Sequence, residues 1–288
     1  MHIEWIDAVV ARGLSAAGCT LAAVDALAVT CRPGLIGSLL VGVSYAKGLA
    51  LATGKPLVAV DHIRAHVYSP HMERDIGYPY IALLLSGGHT LVIDVQGLDR
   101  WEVLGATVDD ACGEAFDKVA KHFDIGFPGG VAIQRLAERG DPEAYRFPVP
   151  SLRNARSRFD VSYSGLKTAV IHQRQQFRVA RSGPERVADI AASFQKTAID
   201  IVVNQAIAAA RSRGRHRIVA AGGVAANRYL RHRLAAEPEF ETFFPSLALC
   251  TDNAAMIAGL GYHVLHRDGP TELSFGAAAR VAGFRRVS

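Results

Sequence analysis

The sequence predicts an α/β protein: stretches with helical spacing of apolar residues alternate with short, wholly apolar runs, separated by turns rich in Gly and Pro. Two further observations support that class. The alternation occurs twice, and three closely spaced strands open the second pass. The chain has 288 residues, 50% of them hydrophobic, which is enough to bury one large or two ordinary cores.

The elements follow in order. Residues 3–18 place Ile3, Ile6, Val9, Val10, Leu14 and Ala17 at helical spacing. Residues 26–30 form a short apolar strand, Cys31-Arg32-Pro33-Gly34 turns the chain, and a helix over 35–52 stops at Gly54-Lys55-Pro56. Residues 57–60 are a second strand, and 62–72 a further helix. Strands at 80–85, 90–95 and 101–104 are joined by short links, which predicts an antiparallel meander. Helices over 111–123, 131–139, 185–211, 224–234 and 251–266, with strands at 217–221 and 247–250, complete the second pass. Residue positions 140–185 are polar, rich in Arg and Pro, and carry no clear period. Both passes contain α–β–α–β–α, so a duplicated domain accounts for the pattern; two unrelated α/β segments are the simpler alternative.

Composition narrows the function. The 32 Lys and Arg against 27 Asp and Glu give a net charge of +5, compatible with a nucleic-acid partner but well short of a basic tail. The 4 cysteines form no CxxC pair, which suits a reducing cytoplasm and suggests neither a disulfide frame nor a thiolate zinc site. The most apolar stretch, 34–52, is interrupted by Ser38, Ser44, Tyr45 and Lys47 and reads as a packed helix of a soluble protein, with no membrane association and no secretion signal.

Several short motifs carry chemistry. His62-Ile63-Arg64-Ala65-His66 puts two imidazoles on one helix face, able to share a metal ion with a third ligand. A zinc protease would need Glu where Ile63 stands, so that reading fails. Ser86-Gly87-Gly88-His89 between two strands is either a hairpin turn or a backbone nest for an anion. Gly222-Gly223-Val224-Ala225-Ala226-Asn227 lies at a strand-to-helix junction, where a helix N-terminus receives nucleotides. Asp109 and Asp110 are accounted for as caps of the helix they precede, whereas Asp117 lies too deep in it for capping. Thr251 or Asp252 would cap the last helix. The run Arg211 to Arg217, with Arg153, Arg156 and Arg158 as a second cluster, is either a solvated surface or a phosphate-binding one; no aromatics interleave it.

Taken together and in order, these motifs closely resemble one family along essentially the whole chain. They are Pro33-Gly34-Leu35, the His62/His66 pair, Leu85-Ser86-Gly87-Gly88-His89-Thr90, Asp109-Asp110-Ala111-Cys112-Gly113-Glu114-Ala115-Phe116-Asp117-Lys118 and Pro128-Gly129-Gly130. Ser162-Tyr163-Ser164-Gly165-Leu166-Lys167-Thr168, Gly222 to Asn227 and Cys250 to Met256 complete the series. The family is the tRNA N6-adenosine threonylcarbamoyltransferases, formerly called O-sialoglycoprotein endopeptidases or glycoproteases.

The resemblance implies an actin/Hsp70/sugar-kinase-like fold with a nucleotide cleft between duplicated domains. The first would span 1–75, completed by a C-terminal helix at 267–288, and the second 76–266. It implies transfer of a threonylcarbamoyl group from threonylcarbamoyl-adenylate to N6 of adenosine 37 in tRNAs that read codons beginning with A. By similarity, His62, His66 and Asp252 would hold one divalent metal, iron or zinc. Leu84, Leu85, Ser86, Gly87 and Gly88 would line the adenylate together with Asp117, Gly130 and Asn227, and His89 would assist proton transfer. Implied partners are the tRNA anticodon stem-loop, a smaller paralogous subunit and an ATPase subunit. A silent partner subunit of the same fold is the alternative, and the intact ligand set speaks against it. Two positions depart from the family pattern: Arg32 replaces a Gly, which would be costly at a positive φ, and Arg64 puts a cation between the histidines where Glu is common. The segment from His2 matches one that follows an N-terminal meander in the family, so the first sheet is expected to lack its opening strands and to leave the strands at 26–30 and 57–60 with an exposed edge.

Overall fold

The computed structural model describes residues 2–150, 152, 156–179 and 184–280. The described chain divides into two units: residues 2–72 with 253–280, and residues 73–252.

The first unit opens with α1 (His2–Ala16), β1 (Leu27–Arg32), α2 (Ile36–Thr53), β2 (Leu57–Asp61) and α3 (His62–Tyr68). The second contains β3 (Tyr80–Leu85), β4 (Thr90–Val95), β5 (Trp101–Ala106), α4 (Cys112–Phe123), α5 (Gly129–Ala137), α6 (Ser164–Val179) and α7 (Pro184–Arg213). It continues through β6 (Arg217–Ala221), α8 (Arg228–Ala235), β7 (Glu241–Phe243) and the short α9 (Leu247–Cys250). The chain then returns to the first unit in α10 (Ala254–Asp268).

In the first unit β1 and β2 pair in parallel, Leu27 opposite Leu57, with α2 as the crossover that parallel strands require. Helix α10 packs on both strands and on α3. Gly261 permits this closeness, because a Cβ there would lie 2.8 Å from that of Ala28. The outer edge of β2 is covered by Thr271, whose N–H donates to the Leu57 carbonyl at 2.8 Å and whose hydroxyl accepts from the Ala59 N–H at 3.0 Å. Strand β1 is half-buried along most of its length. Helix α1 has no buried residue, and α2 buries only Leu39, Val43 and Ala50. The apolar 34–52 segment, expected to be packed, is therefore mostly half-buried or exposed. By length and composition α2 is apolar enough to cross a membrane. It nevertheless carries Lys47, whose ammonium donates to the Phe275 carbonyl and lies 4.4 Å from the Phe275 ring centroid.

The second unit holds a five-stranded mixed sheet in the order β5-β4-β3-β6-β7, antiparallel across the expected meander and parallel from β3 onward. Strands β3 and β4 are buried throughout. Helix α7 covers the sheet, burying Ile190, Phe194, Ala198, Ile201, Val202 and Ala206, which recur at helical spacing.

Some elements differ from expectation. Residues 247–250 form α9 rather than a strand, and the edge strand is β7; four apolar residues are too few to reveal a period. The helix expected over 224–234 is a tight turn at Gly223–Ala226 followed by α8, because Asn227 caps the latter. Helix α6 occupies part of the stretch without a clear period. Helix α10 belongs to the first unit, not the second, and the break falls at 72/73 rather than 75/76. Of the helix expected at 267–288, only Arg267 and Asp268 are helical, as the end of α10; residues 269–280 are not, and 281–288 lie outside the described residues.

Candidate functional site

In the second unit β3 pairs antiparallel with β4 on one side and parallel with β6 on the other. Strand order runs outward from β3 to β5 on one side and from β6 to β7 on the other, so it reverses between the parallel pair β3 and β6, and α/β sheets bind ligands at the carboxyl ends of the strands at such a point. The register sets Leu84 opposite Ala221, so the turn Ser86–His89 emerges beside Gly222-Gly223. Gly222 takes φ 88°, and a Cβ there would collide with the Leu85 carbonyl, so only glycine fits. Leu84 and Leu85 are 0% exposed, so the two residues expected to line the ligand are enclosed in the core, and the accessible backbone begins at Gly87.

The turn is closed by its own serine. Ser86 N–H donates to the His89 carbonyl at 2.8 Å, and Ser86 Oγ accepts from His89 N–H at 3.0 Å and Gly88 N–H at 3.3 Å. The start of α4 is tied to it: Gly113 N–H donates to the Ser86 carbonyl at 3.3 Å, and Cys112 N–H donates to Thr90 Oγ1 at 2.8 Å. Gly87 and Gly88 are exposed, and a methyl group on either would touch nothing within 4 Å.

Asp117, one turn into α4, accepts the Gly129 N–H at 2.8 Å through Oδ1 and so docks the head of α5. A Cβ on Gly129 would lie 2.6 Å from Asp117 Cα, whereas one on Gly130 would meet nothing within 4 Å. Asn227 is buried; its amide donates to Gln195 Oε1 at 2.8 Å and its oxygen caps α8 by accepting from Leu230 N–H at 3.0 Å. Arg228 N–H reaches Gln134 Oε1 on α5 at 2.8 Å. One bonded framework thus carries Ser86, Gly87, Gly88, His89, Asp117, Gly130 and Asn227.

Sequence reasoning missed the roles of Asp109 and Asp110, which do not cap the helix they precede. Asp109 Oδ1 accepts the N–H groups of Tyr163 at 2.7 Å and Ser164 at 3.2 Å, and its other oxygen takes the Ser162 hydroxyl, so it caps α6. Asp110 holds Lys118 and Lys167, each at 2.6 Å. Burial opposes the charge on Asp110, but the hydrogen bonds from the two ammonium groups prevail and hold its carboxyl below the ordinary value. Hydrogen bonds to Asp110 and Glu114 raise Lys118. Burial pushes the Cys112 thiol up to about 12, which disqualifies it as a nucleophile near neutral pH. The only local signals for this network were the paired aspartates and the lysine of Ser164-Gly165-Leu166-Lys167.

In the first unit, Asp61 caps α3 through Oδ1, accepting from Ile63 N–H at 2.9 Å and Arg64 N–H at 3.1 Å. The cap starts the helix at His62, and the rings of His62 and His66 meet edge to face with centroids 4.6 Å apart. Arg64, two positions from each, projects from the opposite side of the helix. Arg32 donates to Asp61 Oδ2 at 3.3 Å. Asp124 is the one non-glycine at positive φ among the described residues, so Arg32 carries no such strain. The cap of α10 is Asn253, which accepts from Met256 N–H at 2.8 Å, rather than Thr251 or Asp252. Asp252, one peptide bond ahead, is exposed.

The basic run is spent within the fold. Arg211 pairs with Glu239 at 2.7 Å, Arg213 with Glu102 at 2.8 Å, Arg215 with buried Asp94 at 2.8 Å, and Arg217 with Glu241 at 3.0 Å.

The sequence profile of the family described as tRNA N6-adenosine threonylcarbamoyltransferase, TsaD, matches residues 1–259. The chain is 51% identical over 287 residues to the enzyme of that name from Treponema denticola, covering 99% of this chain and 84% of that one. It is 45% identical over 285 residues to the one from Borreliella burgdorferi, covering 99% and 82%. Among solved structures, full-length HypF in its phosphate- and nucleotide-bound form aligns with TM-score 0.61 over 86% of this chain and 48% of its own, at 15% identity. HypF from T. kodakarensis aligns with TM-score 0.62 over 85% and 41%, also at 15%. At that identity the likeness shows the α/β fold alone. The chain belongs to the tRNA N6-adenosine threonylcarbamoyltransferase family and is an acyltransferase that modifies tRNA.

Proposed function

We propose that the crevice at the ends of β3 and β6 receives threonylcarbamoyl-adenylate, and that the acceptor is N6 of adenosine 37 in tRNAs reading codons that begin with A. The observation that carries the assignment is the pairing of the Ser86–His89 turn with the Asp117–Gly129 contact around one strand switch. The exposed backbone of Gly87-Gly88, free of side chains, lets a phosphate approach closely, where it would compete with Ser86 Oγ for the Gly88 N–H, and the open space at Gly130 suits a ribose or base packed against main chain. In the reaction the adenosine amine attacks the carbamoyl carbon, a C–N bond forms, the C–O bond to phosphate breaks, and AMP leaves with the electron pair. Main-chain N–H groups at the turn stabilise the charge on the departing phosphate. His89, bonded into that turn, receives or relays the amine proton. No protein nucleophile is needed, consistent with the silent thiol of Cys112.

His62, His66 and Asp252 would hold one divalent metal, iron or zinc. The donor set fits: two imidazoles share a helix face, and an exposed carboxylate immediately precedes the Asn253 cap, which gives the two-His, one-carboxylate chemistry of a divalent metal site. When bound, such a metal supplies a Lewis acid toward phosphate or carbamoyl oxygens.

The two units read as copies of one actin/Hsp70/sugar-kinase-like plan, each with two adjacent parallel strands linked through a helix. The smaller paralogous subunit is the proposed partner of the apolar surface on α1 and α2, where Ile3, Trp5, Val9, Leu40 and Leu51 are exposed; an ATPase subunit completes the assembly, which works in the cytoplasm. The deciding experiment is formation of modified adenosine in vitro from adenylate and unmodified tRNA, comparing the wild-type chain with His89→Ala and Gly130→Val. Full activity in both variants would remove the crevice as the reaction site.

A further inference from the structure

The most exposed large apolar side chain among the described residues is Phe127, at 85%. Its ring makes no aromatic, cationic or hydrogen-bonding contact there, yet the loop that carries it is fixed. Ile125 N–H donates to the Ala120 carbonyl at 3.2 Å on one side, and Gly129 N–H is held by Asp117 on the other. A fixed loop that presents an unpacked phenyl ring to water gains nothing for the fold.

Phe127 heads a stripe. Val131 is 47% exposed in the first turn of α5, and exposed Arg135 lies one turn further on the same face, with exposed Arg139 just past the helix end. Neither guanidinium has an acceptor among the described residues. The nearest acid in sequence, Glu138, is engaged by Arg228 at 2.9 Å. This is the reverse of the Arg211–Arg217 run, whose charges are met by carboxylates.

We propose that this edge of α5 is where the RNA substrate lies, with Phe127 stacking on an unpaired base and Arg135 and Arg139 meeting backbone phosphates. An aromatic platform beside free guanidinium groups is the arrangement that holds single-stranded nucleic acid; a duplex, whose bases are already stacked, would not use the ring. The position suits the chemistry, because Phe127 stands two residues from Gly129 and three from Gly130. The proposal rests on the assignment of the donor pocket to that end of α5.

The test is equilibrium binding of unmodified tRNA to the full chain across a salt series. Phe127→Ala and Phe127→Leu are expected to weaken binding about 5- to 100-fold, and Phe127→Tyr to hold it within about 3-fold. The melting temperature should not move, since the ring packs on nothing. Arg135→Gln with Arg139→Gln should flatten the slope of log K against log salt by about 1.4, two phosphates at the single-strand value, whereas Phe127→Ala leaves the slope alone. Wild-type affinity in Phe127→Ala overturns the proposal, as does an equal loss toward a blunt RNA duplex. A protein partner on this face would leave tRNA binding of every variant unchanged, which also overturns it. If the wild-type chain binds no tRNA, the substrate reading falls with the proposal; if it binds and the variants match it, the proposal alone falls.

Discussion

The carboxylate of Asp110 grips the ammonium of Lys167 at 2.6 Å across 57 residues of chain, and so joins the entrance of α4 to α6. Its other oxygen holds Lys118, also at 2.6 Å. Asp110→Asn should destabilise the fold by about 1–3 kcal/mol, since it leaves the partly buried Lys167 without its counter-charge and Lys118 with Glu114 alone. The pH dependence has a definite sign. The folded carboxyl binds its proton less readily than the unfolded one, so its contribution is complete above the ordinary aspartate value of about 3.9 and is lost as pH falls through the lower folded value. Chemical denaturation of both proteins between neutral and strongly acidic pH should show curves that converge in acid. Curves that stay parallel would refute the coupling.

Gly129 and Gly130 are neighbours with opposite requirements. A Cβ at Gly129 would press on Asp117 Cα at 2.6 Å and on the Phe116 carbonyl at 2.7 Å, so Gly129→Ala should cost about 1–3 kcal/mol or more in stability. Gly130→Ala meets nothing and should leave stability within about 0.5 kcal/mol. Its effect should appear instead as a raised KM for the adenylate. Thermal melts and steady-state kinetics on the pair separate packing from binding; a Gly130→Ala enzyme with unchanged KM would place the donor elsewhere.

How much of this was legible in the sequence depends on the range of each interaction. The buried face of α7 was readable because 30 helical residues give the period many repeats, and the β3–β5 meander because its links are short. The four residues of α9 offer no period, and α6 escaped notice because its N-terminus is capped by Asp109 from 55 residues away. The same limit misled the reading of Asp109 and Asp110 as caps of their own helix. Of the site, the glycine turns and the histidine pair stood out by local spacing. The bond from Asp117 to Gly129 and the grip of Gln195 on Asn227 are tertiary and leave no local mark.

The proposed metal site predicts a stoichiometry. Purified wild-type chain should retain about one divalent ion by elemental analysis, and His62→Ala with His66→Ala should retain none. Because His66 is 1% exposed, its loss also perturbs packing, so Asp252→Asn is the cleaner probe. Asp252 is exposed and Asn253 does the capping, so that variant should fold normally and still lose affinity for the ion. Equal, near-zero metal in all three proteins would sink the assignment.

The last prediction concerns the arginines that look most like a nucleic-acid surface. Arg211, Arg213 and Arg217 face Glu239, Glu102 and Glu241 at the protein surface, where such pairs contribute little. Changing all three to Gln should therefore leave tRNA affinity and its salt slope unaltered, and stability within about 1 kcal/mol per site. Arg215 differs in kind. Its guanidinium is bidentate on Asp94, whose side chain is 0% exposed in the middle strand of the meander. Arg215→Gln strands a buried carboxylate and should cost about 3–5 kcal/mol. Double replacement with Asp94→Asn should recover part of that loss, because the uncompensated charge is then gone. A drop in tRNA affinity in the surface triple variant at unchanged stability would restore the run as an RNA contact; an Arg215→Gln protein as stable as wild type would show that Asp94 does not need its partner.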